Sequence, residues 1–306
     1  MKKILAFIVI AITCAFTNPP KELQLHYVFK KGETFEWSQT AMVTQHITVA
    51  GQEQNVETGI KGTTLMKTIE VSGANAKFEI EYLNISMKLK SGMGDQLMDS
   101  EGDTSNVFNK IMRSMKGKKF QFTLSKYGLV ESVDNIENLW SGMAKLTQDP
   151  QAAQMKGAME RSFGKNAFKR SIESSLVYYP EEKVKAGSTW KHNVVGGSEL
   201  PLQTANNWKL ESVTEPTAVV ISDGEITTTD TTKVIPMMGA FKATANLKGR
   251  QVIKSTISTS HGWPQTCKSY SEIKGKMILL AGGQIPEDMP MQMEITTEAE
   301  YTITKK

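Results

Sequence analysis

Cysteine is scarce in this chain of 306 residues, which contains only Cys14 and Cys267. Cys14 lies in an N-terminal leader that we expect to be cleaved off or modified, so Cys267 has no partner for an internal disulfide bond. A disulfide-stapled scaffold is therefore excluded, and the protein must be stabilised by its hydrophobic core. A chain of this size can do so, because a folded chain of about 300 residues buries about 75% of its unfolded surface.

An excess of charge is also missing. The formal net charge is +4, and Lys2 and Lys3 in the leader supply half of it. No stretch interleaves basic with aromatic residues, which is the usual footprint of a nucleic-acid-binding surface. We therefore expect no nucleic-acid partner.

The sequence patterns of common hydrolases and metal enzymes do not occur. There is no His-Glu-x-x-His, Cys-x-x-Cys or Gly-x-Ser-x-Gly motif and no phosphate-binding glycine loop. The four histidines, His26, His46, His192 and His261, lie far apart in the sequence. We predict that the protein is not an enzyme, with no catalytic or metal-binding residues and no cofactor.

An acidic run provides the oxygen ligands that calcium prefers, at Asp95, Asp99, Glu101 and Asp103. Its spacing differs from the known calcium-binding loop, and the glycine is misplaced. The run is better interpreted as a solvated loop in which Asp103 or Thr104 caps a following helix.

The first seventeen residues have the order of a secretory signal peptide. Lys2 and Lys3 precede an apolar run over residues 4–12, and small residues follow it. The run is shorter than the roughly 20 residues of a membrane-spanning helix, and no later segment comes close. The mature chain is thus expected to lack a transmembrane segment and to work in the periplasm or at the outer membrane.

Lipidation of Cys14 is the alternative fate of the leader. Lipidated cysteines follow sequences resembling Leu-Ala-Gly, whereas Ala11, Ile12 and Thr13 precede Cys14 here. Thr13 fits this pattern poorly, so a lipoprotein anchored at Cys14 is less favoured than a cleaved, exported protein.

The rest of the chain, residues 18–306, is predicted to form a single β-rich domain. Residues 18–92 and 179–306 are two β-rich halves, rich in Thr, Val and Ile. Residues 23–29, 64–71 and 77–89 are predicted strands in the first half, and residues 77–82 alternate apolar with polar residues. In the second half, residues 241–247 and 250–258 are predicted as separate strands divided by a glycine turn.

Residues 93–178 form a mainly helical insertion. One predicted helix carries Val107, Phe108, Ile111, Met112 and Met115 on one face. A hairpin over residues 119–133 interrupts the helical pattern, which resumes at Ile136, Leu139, Trp140 and Met143. A third helix begins at Asp149-Pro150 and carries Ala152, Met155, Met159 and Phe163. A last helix carries Phe168, Ile172 and Leu176.

Two short echoes suggest an internal duplication. Gly32-Glu33-Thr34-Phe35 resembles Gly187-Ser188-Thr189-Trp190, and Thr123-Leu124-Ser125 before Gly128 resembles Thr256-Ile257-Ser258 before Gly262. The predicted fold is α+β and β-dominated. It is a large antiparallel twisted sheet or half-barrel in two related halves, with amphipathic helices packed over it.

Methionine is unusually frequent in this chain, and many of the methionines lie in the predicted helices. Flexible thioethers line cavities that accept varied apolar ligands, although they also fill gaps in ordinary cores. The candidate ligand-binding residues are Met112, Met115, Trp140, Met143, Met155, Met159 and Phe163. Trp263, in the turn His261-Gly262-Trp263-Pro264, could stack on a sugar or peptide or pack on a neighbouring strand.

Four features together resemble a family of exported bacterial proteins whose domain has no known function. They are the leader, the Lys-Lys-Gly-Glu-Thr-Phe sequence at residues 30–35, the segment from Tyr179 to Trp190 and the Gly-Trp-Pro turn at Gly262. The resemblance covers nearly the whole mature chain and implies no catalytic residues. In outline only, the fold is similar to periplasmic lipoprotein carriers, which are half-barrels with a helical lid.

We expect an exported cell-envelope protein that binds a hydrophobic ligand, a lipid or acyl chain, between sheet and helices without catalysis. The alternative is a structural surface protein with a filled core that binds an envelope protein partner. A third interpretation is a hydrolase whose site is assembled from distant residues such as His192 and His261.

Overall fold

The computed structural model describes residues 22–92, 94–142, 164–195, 200–236, 241–282 and 285–306. Within these ranges most residues lie in one antiparallel sheet of thirteen strands, accompanied by two α-helices and a short 3₁₀ turn. The β-dominated α+β half-barrel predicted from the sequence is confirmed.

The elements of the first half are listed in chain order. They are β1 (Thr34–Val49), β2 (Gln52–Ser72), β3 (Asn75–Ser91), β4 (Gly94–Asp99), α1 (Val107–Met115), β5 (Lys119–Ser125), β6 (Val130–Asp134), the 3₁₀ turn (Ile136–Trp140) and α2 (Lys165–Ser175). Those of the second half are β7 (Thr189–Val195), β8 (Leu202–Thr214), β9 (Thr217–Thr228), β10 (Ile235–Pro236), β11 (Lys242–Ser258), β12 (Pro264–Leu279) and β13 (Met289–Lys305).

Two meanders meet in the middle of the sheet. The strand order is β6-β5-β3-β2-β1-β13-β12-β11-β9-β8-β7, with β4 paired to β3 and β10 to β11. The seam between the halves is the pairing of β1 with β13, which runs from Phe35 opposite Lys305 to Val49 opposite Met291. One face of the sheet is concave and carries the core, and the other is convex and mostly exposed.

A β-bulge keeps the apolar side chains of β3 on the concave face. Tyr82 lies opposite Thr64, but the next pair joins Asn84 to Thr63, so the register shifts there. Ile80 before the bulge and Ile85 after it are therefore both buried, although one number is even and the other odd. An extra residue at a bulge changes the alternation in this way.

Residues 23–29 were predicted as a strand, and this prediction is wrong. The segment is extended, but Leu23 forms only an isolated bridge with Val184. Its central residues form backbone hydrogen bonds with two turns. The Tyr27 N–H donates to Lys126 O, and the Val28 N–H donates to His261 O. The segment therefore bonds to these turns instead of joining the sheet.

The predicted strands 241–247 and 250–258 are one strand, β11, which runs through Gly249. A Cβ atom at Gly249 would lie only 2.0 Å from the Glu272 carbonyl oxygen of β12. Glycine is needed here for close approach of two backbones within the sheet, which is a known role of glycine inside strands.

The two described helices match the predicted apolar stripes, and the hairpin over residues 119–133 is confirmed as β5 and β6. The cap of α1 is Asn106, whose side chain accepts the Phe108 N–H, and not Asp103 or Thr104. The predicted helix from Asp149, and the leader at residues 1–17, lie outside the described residues.

Aromatic rings pack around Trp263 in one cluster of the core, which we call the base of the core. The Trp263 ring lies 4.8 Å from Phe35, 4.9 Å from Tyr27 and 5.8 Å from Phe78, between ring centroids. Trp263 is buried, so it packs within the protein and is not available to stack on a ligand.

The two sequence echoes occupy equivalent positions in the two halves. Gly32 N–H bonds to Thr68 O, and Gly187 N–H bonds to Leu210 O, in the second strand of each half. At the second echo, Gly128 N–H bonds to Ser125 O and Gly262 N–H to Ser258 O. These matched turns support two related halves.

The Tyr27 hydroxyl forms two hydrogen bonds with one buried residue. It donates to Val177 O and accepts from the Val177 N–H, both at 2.9 Å. Tyr27→Phe would leave both buried backbone groups without a partner, so we expect the free energy of unfolding to fall by about 1–3 kcal/mol. Urea denaturation measures this. The control Tyr270→Phe alters an exposed ring and should change stability by less than about 0.5 kcal/mol; equal losses would contradict the role given to Tyr27.

Candidate functional site

A cavity of the described residues lies between the concave face of β1, β2 and β3 and one side of α2. Its volume is about 400 Å³. Its lining residues share that face of the sheet or that side of the helix: Trp37, Gln39, Val43, Gln45, Thr58, Ile60, Gly62, Thr64, Ile80, Tyr82, Ile85, Met87, Ala167, Phe168, Ser171 and Ile172.

Strand register brings the sheet residues of the wall together. Trp37 lies opposite Thr64, Gln39 opposite Gly62, and Val43 opposite Thr58 in the pairing of β1 with β2. Alternate residues of an antiparallel strand point to the same face, so these side chains form adjacent rows. The wall is thus built by residues that are distant in the sequence.

Helix α2 is held over the sheet by its aromatic and acidic side chains. The Phe168 ring packs edge-on against Phe120, 4.7 Å away, and lies 5.7 Å from Phe122. Glu173 accepts the Val130 N–H at 3.3 Å and pairs with Lys169. Burial is the main cause that raises the pKa of Glu173. These contacts fix α2 to the β5–β6 hairpin.

The deep part of the cavity is apolar. Trp37, Ile80 and Ile85 are 5%, 1% and 3% exposed, and Phe168 and Ile172 of α2 are also buried. The polar groups of the described lining are uncharged, namely the amides and hydroxyls of Gln39, Gln45, Thr58, Thr64 and Ser171 and the phenol of Tyr82. Such a lining, mostly apolar with a few polar groups, is typical of small-molecule sites.

No Asp, Glu, Lys, Arg or His lines this cavity among the residues that the structure describes. Its one titratable side chain is Tyr82, and burial raises the pKa of this phenol to about 12. Tyr82 therefore stays neutral at physiological pH. The Trp37 indole N–H also faces no hydrogen-bond acceptor among the described residues, although it is buried.

Three of the candidate ligand-binding residues are described, and they lie in the main core. Met112 and Met115 are 0% exposed and Trp140 is 7% exposed. None of the three is part of the cavity lining. Met143, Met155, Met159, Phe163 and the lipidation candidate Cys14 lie outside the described residues.

The sheet residues that line the cavity were not predicted from the sequence, although Phe168 and Ile172 lie on the apolar stripe of a predicted helix. The available signal was the alternation in β1 to β3, where Trp37, Ile80 and Tyr82 fall on one face. Alternation identifies a buried face but does not tell a packed residue from one that borders a cavity.

The histidines of the hydrolase interpretation lie away from the cavity. The His192 ring stacks on Tyr178 with 3.7 Å between centroids, and burial lowers the pKa of His192. His261 Nδ1 accepts the backbone N–H of Trp263 at 3.2 Å. Burial is the main cause that lowers the pKa of His261.

The acidic run forms turns and ion pairs. Asp99 accepts the Glu101 N–H, Asp103 accepts the Ser105 N–H, and Glu101 pairs with Lys116 at 2.6 Å. Across the described ranges, no three His, Cys, Asp or Glu side chains come together as metal ligands would.

Residues 73–264 match the sequence model of a family described as "Family of unknown function (DUF6263)". The match spans more than half of the chain, from β3 to the Gly262 turn. The chain belongs to this family. DUF6263 thus includes two elements of the cavity wall, β3 and α2, whereas β1 and β2 precede the matched span. The uncharacterised family expected from the sequence is confirmed.

A solved structure shares the fold of this DUF6263 member at low sequence identity. A structure of lipovitellin, titled for its lipid–protein interactions, aligns with 90% of this chain at a TM-score of 0.50 and 12% identity. The chain spans about a quarter of lipovitellin, since the alignment covers 25% of it. This likeness concerns the fold alone.

Two outer-membrane proteins align with lower scores. A channel from Pseudomonas putida F1 is 8% identical over 91% of this chain and 97% of its own, with a TM-score of 0.27. OprG from Pseudomonas aeruginosa is 6% identical over 92% and 99%, also at 0.27. Scores this low carry no argument about this chain. No curated protein sequence matches it. Within the described part of the chain, no helix is long and apolar enough to cross a membrane.

The Cys267 thiol yields a reactivity prediction. It is 1% exposed, and burial raises its pKa to about 11. Because the thiolate is the reactive form, iodoacetamide at pH 8 should leave Cys267 unmodified in the folded protein and modify it in guanidinium chloride. Mass spectrometry of the Cys267 peptide measures this, and modification before unfolding would show that the site opens in the native state.

Proposed function

We propose that this DUF6263 protein is an exported cell-envelope protein that binds a lipid or acyl chain in the cavity between β1–β3 and α2, without catalysis. The observation that carries the proposal is the cavity itself, which is apolar at its base and bordered by uncharged polar groups.

The size of the cavity suits a single acyl chain. Small-molecule sites commonly have volumes of about 300–1,000 Å³, and this one has about 400 Å³. Burying ten methylene groups would contribute ~8 kcal/mol, at ~0.8 kcal/mol each. Association costs roughly 4–15 kcal/mol, so a long chain can bind whereas a short one gains too little.

Two further observations support the proposal. Residues 1–17 have the charged, apolar and small-residue order of a secretory signal peptide, which supports export. About a quarter of lipovitellin, whose structure is titled for lipid–protein interactions, has a fold similar to that of this chain. In the described lining, Ser171 and the threonines have no histidine or carboxylate beside them, which is the partner that a hydroxyl nucleophile needs.

A second candidate function, binding of an envelope protein partner, is favoured by the convex face. Met42, Tyr270 and Val252 are 47%, 42% and 37% exposed. They lie in one row across the sheet, with Glu298 between the first two. An exposed apolar row of this kind is common at protein interfaces.

Native mass spectrometry of the protein purified from its own host tests the first proposal. We expect a co-purifying lipid, together with an intact mass that shows removal of the leader. Absence of lipid, combined with no binding of an acyl-chain fluorophore by delipidated protein, would remove the lipid-binding function and leave the partner-binding one.

Gly62 gives a sharper test, because it lies under the cavity and tolerates a side chain. A Cβ atom there would meet its nearest neighbours at 3.5 and 3.9 Å, which are ordinary contacts. Gly62→Leu should therefore fold and fill part of the cavity, and we expect at least a tenfold loss of affinity for an acyl-chain fluorophore. Fluorescence titration of delipidated protein measures it.

Gly59→Leu is the matched control. Gly59 is in the same strand but on the convex face, and its Cβ would meet Met42 Cε at 3.5 Å. Affinity should stay within twofold of the wild type. Equal losses in the two variants would indicate that the fluorophore does not bind in this cavity.

A further inference from the structure

Among the residues that the structure describes, the cavity lining offers no cation that could neutralise a charged ligand. Its described lining consists of apolar residues, amides, hydroxyls and the neutral Tyr82 phenol. A carboxylate moved into such surroundings loses its hydration and costs several kcal/mol unless a cation pairs with it. The lining therefore discriminates by charge as well as by shape.

The nearest lysines of the wall strands belong to the other face of the sheet. Lys61 lies between Ile60 and Gly62 in β2, so alternation places it on the convex side, and it is exposed. Lys88 and Lys90 of β3 are also convex, and they pair with Asp95 and Glu57.

Helix α2 does not supply a cation to the lining either. Lys169 pairs with Glu173, and neither Lys169 nor Arg170 borders the cavity. The lining residues of α2 are Ala167, Phe168, Ser171 and Ile172, which form one side of the helix.

Uncharged hydrogen-bonding groups take the place of a cation. Gln39 and Gln45 each offer an amide that can donate and accept, and Thr58, opposite Val43, offers a hydroxyl. These groups match the carbonyl and hydroxyl groups of an ester or alcohol.

We infer that the ligand is a neutral acyl lipid, an ester of the monoacylglycerol kind, and not an ionised fatty acid. The inference rests on the proposed function and names the ligand class of the same cavity. The acyl chain occupies the apolar base beside Trp37 and Phe168, and the ester end meets the amide of Gln45 and the hydroxyl of Thr58, which are diagonal neighbours on the same face of β1 and β2.

Titration of delipidated protein with 1-monopalmitoylglycerol and with palmitate at pH 8 tests the inference, with displacement of an acyl-chain fluorophore as the readout. The two probes share one acyl chain and differ in the charge of the head group. We expect the monoacylglycerol to bind at least tenfold more tightly. Equal or tighter binding of palmitate overturns the inference and leaves the proposed function intact, whereas no binding of either probe overturns both.

A variant that adds a positive charge to the cavity provides a second test of the inference. Gln45→Lys places a cation at the cavity, so palmitate affinity should rise at least fivefold and the preference for the neutral probe should shrink. Thr44→Lys adds the same charge one residue away, on the opposite face of β1, and should leave the preference unchanged. An equal gain in both variants would mean that palmitate is attracted by net charge outside the cavity, which contradicts the inference.

Discussion

The strands of this protein present apolar side chains to one concave face, and this face must be shielded from water. A sheet of thirteen strands cannot bury such a face against itself without closing, so other elements have to cover it. The aromatic cluster around Trp263 covers the base, and α1 and α2 cover the first half. The cavity lies where small residues of β2 leave space beneath α2.

Much of this architecture follows from local sequence patterns. The β5–β6 hairpin, α1 and α2 were all predictable, because turn glycines and the 3.6-residue period are properties of neighbouring residues. The continuity of β11 through Gly249 was not, since only the approach of β12 distinguishes a strand glycine from a turn glycine. The bulge in β3 and the course of residues 23–29 likewise depend on distant partners.

The site was less predictable than the fold for the same reason. A methionine on a helix stripe can pack or line a cavity, and Met112 and Met115 pack. The residues that do line the cavity are ordinary strand residues such as Val43 and Thr58. Their significance arises from the register that sets them side by side, and register is information shared between two strands.

The separation of charge between the two faces follows from the same alternation. Lysines and acids on the convex side pair with one another, as Lys268 does with Glu300 and Arg250 with Asp223. The concave side of β1 to β3 is left without ionised groups in the described cavity. A single structural rule thus produces both a solvated exterior and an interior suited to uncharged, apolar molecules.

The missing side chain of Gly62 has a consequence for the volume of the cavity. It is the one lining residue of the described cavity without a side chain, so the floor is lowest there. Under the proposed function, the size of the residue at that point would set how much space remains above the sheet for the bound molecule. Alanine, valine or leucine at residue 62 would reduce this space stepwise, so one position of β2 sets the volume of the cavity.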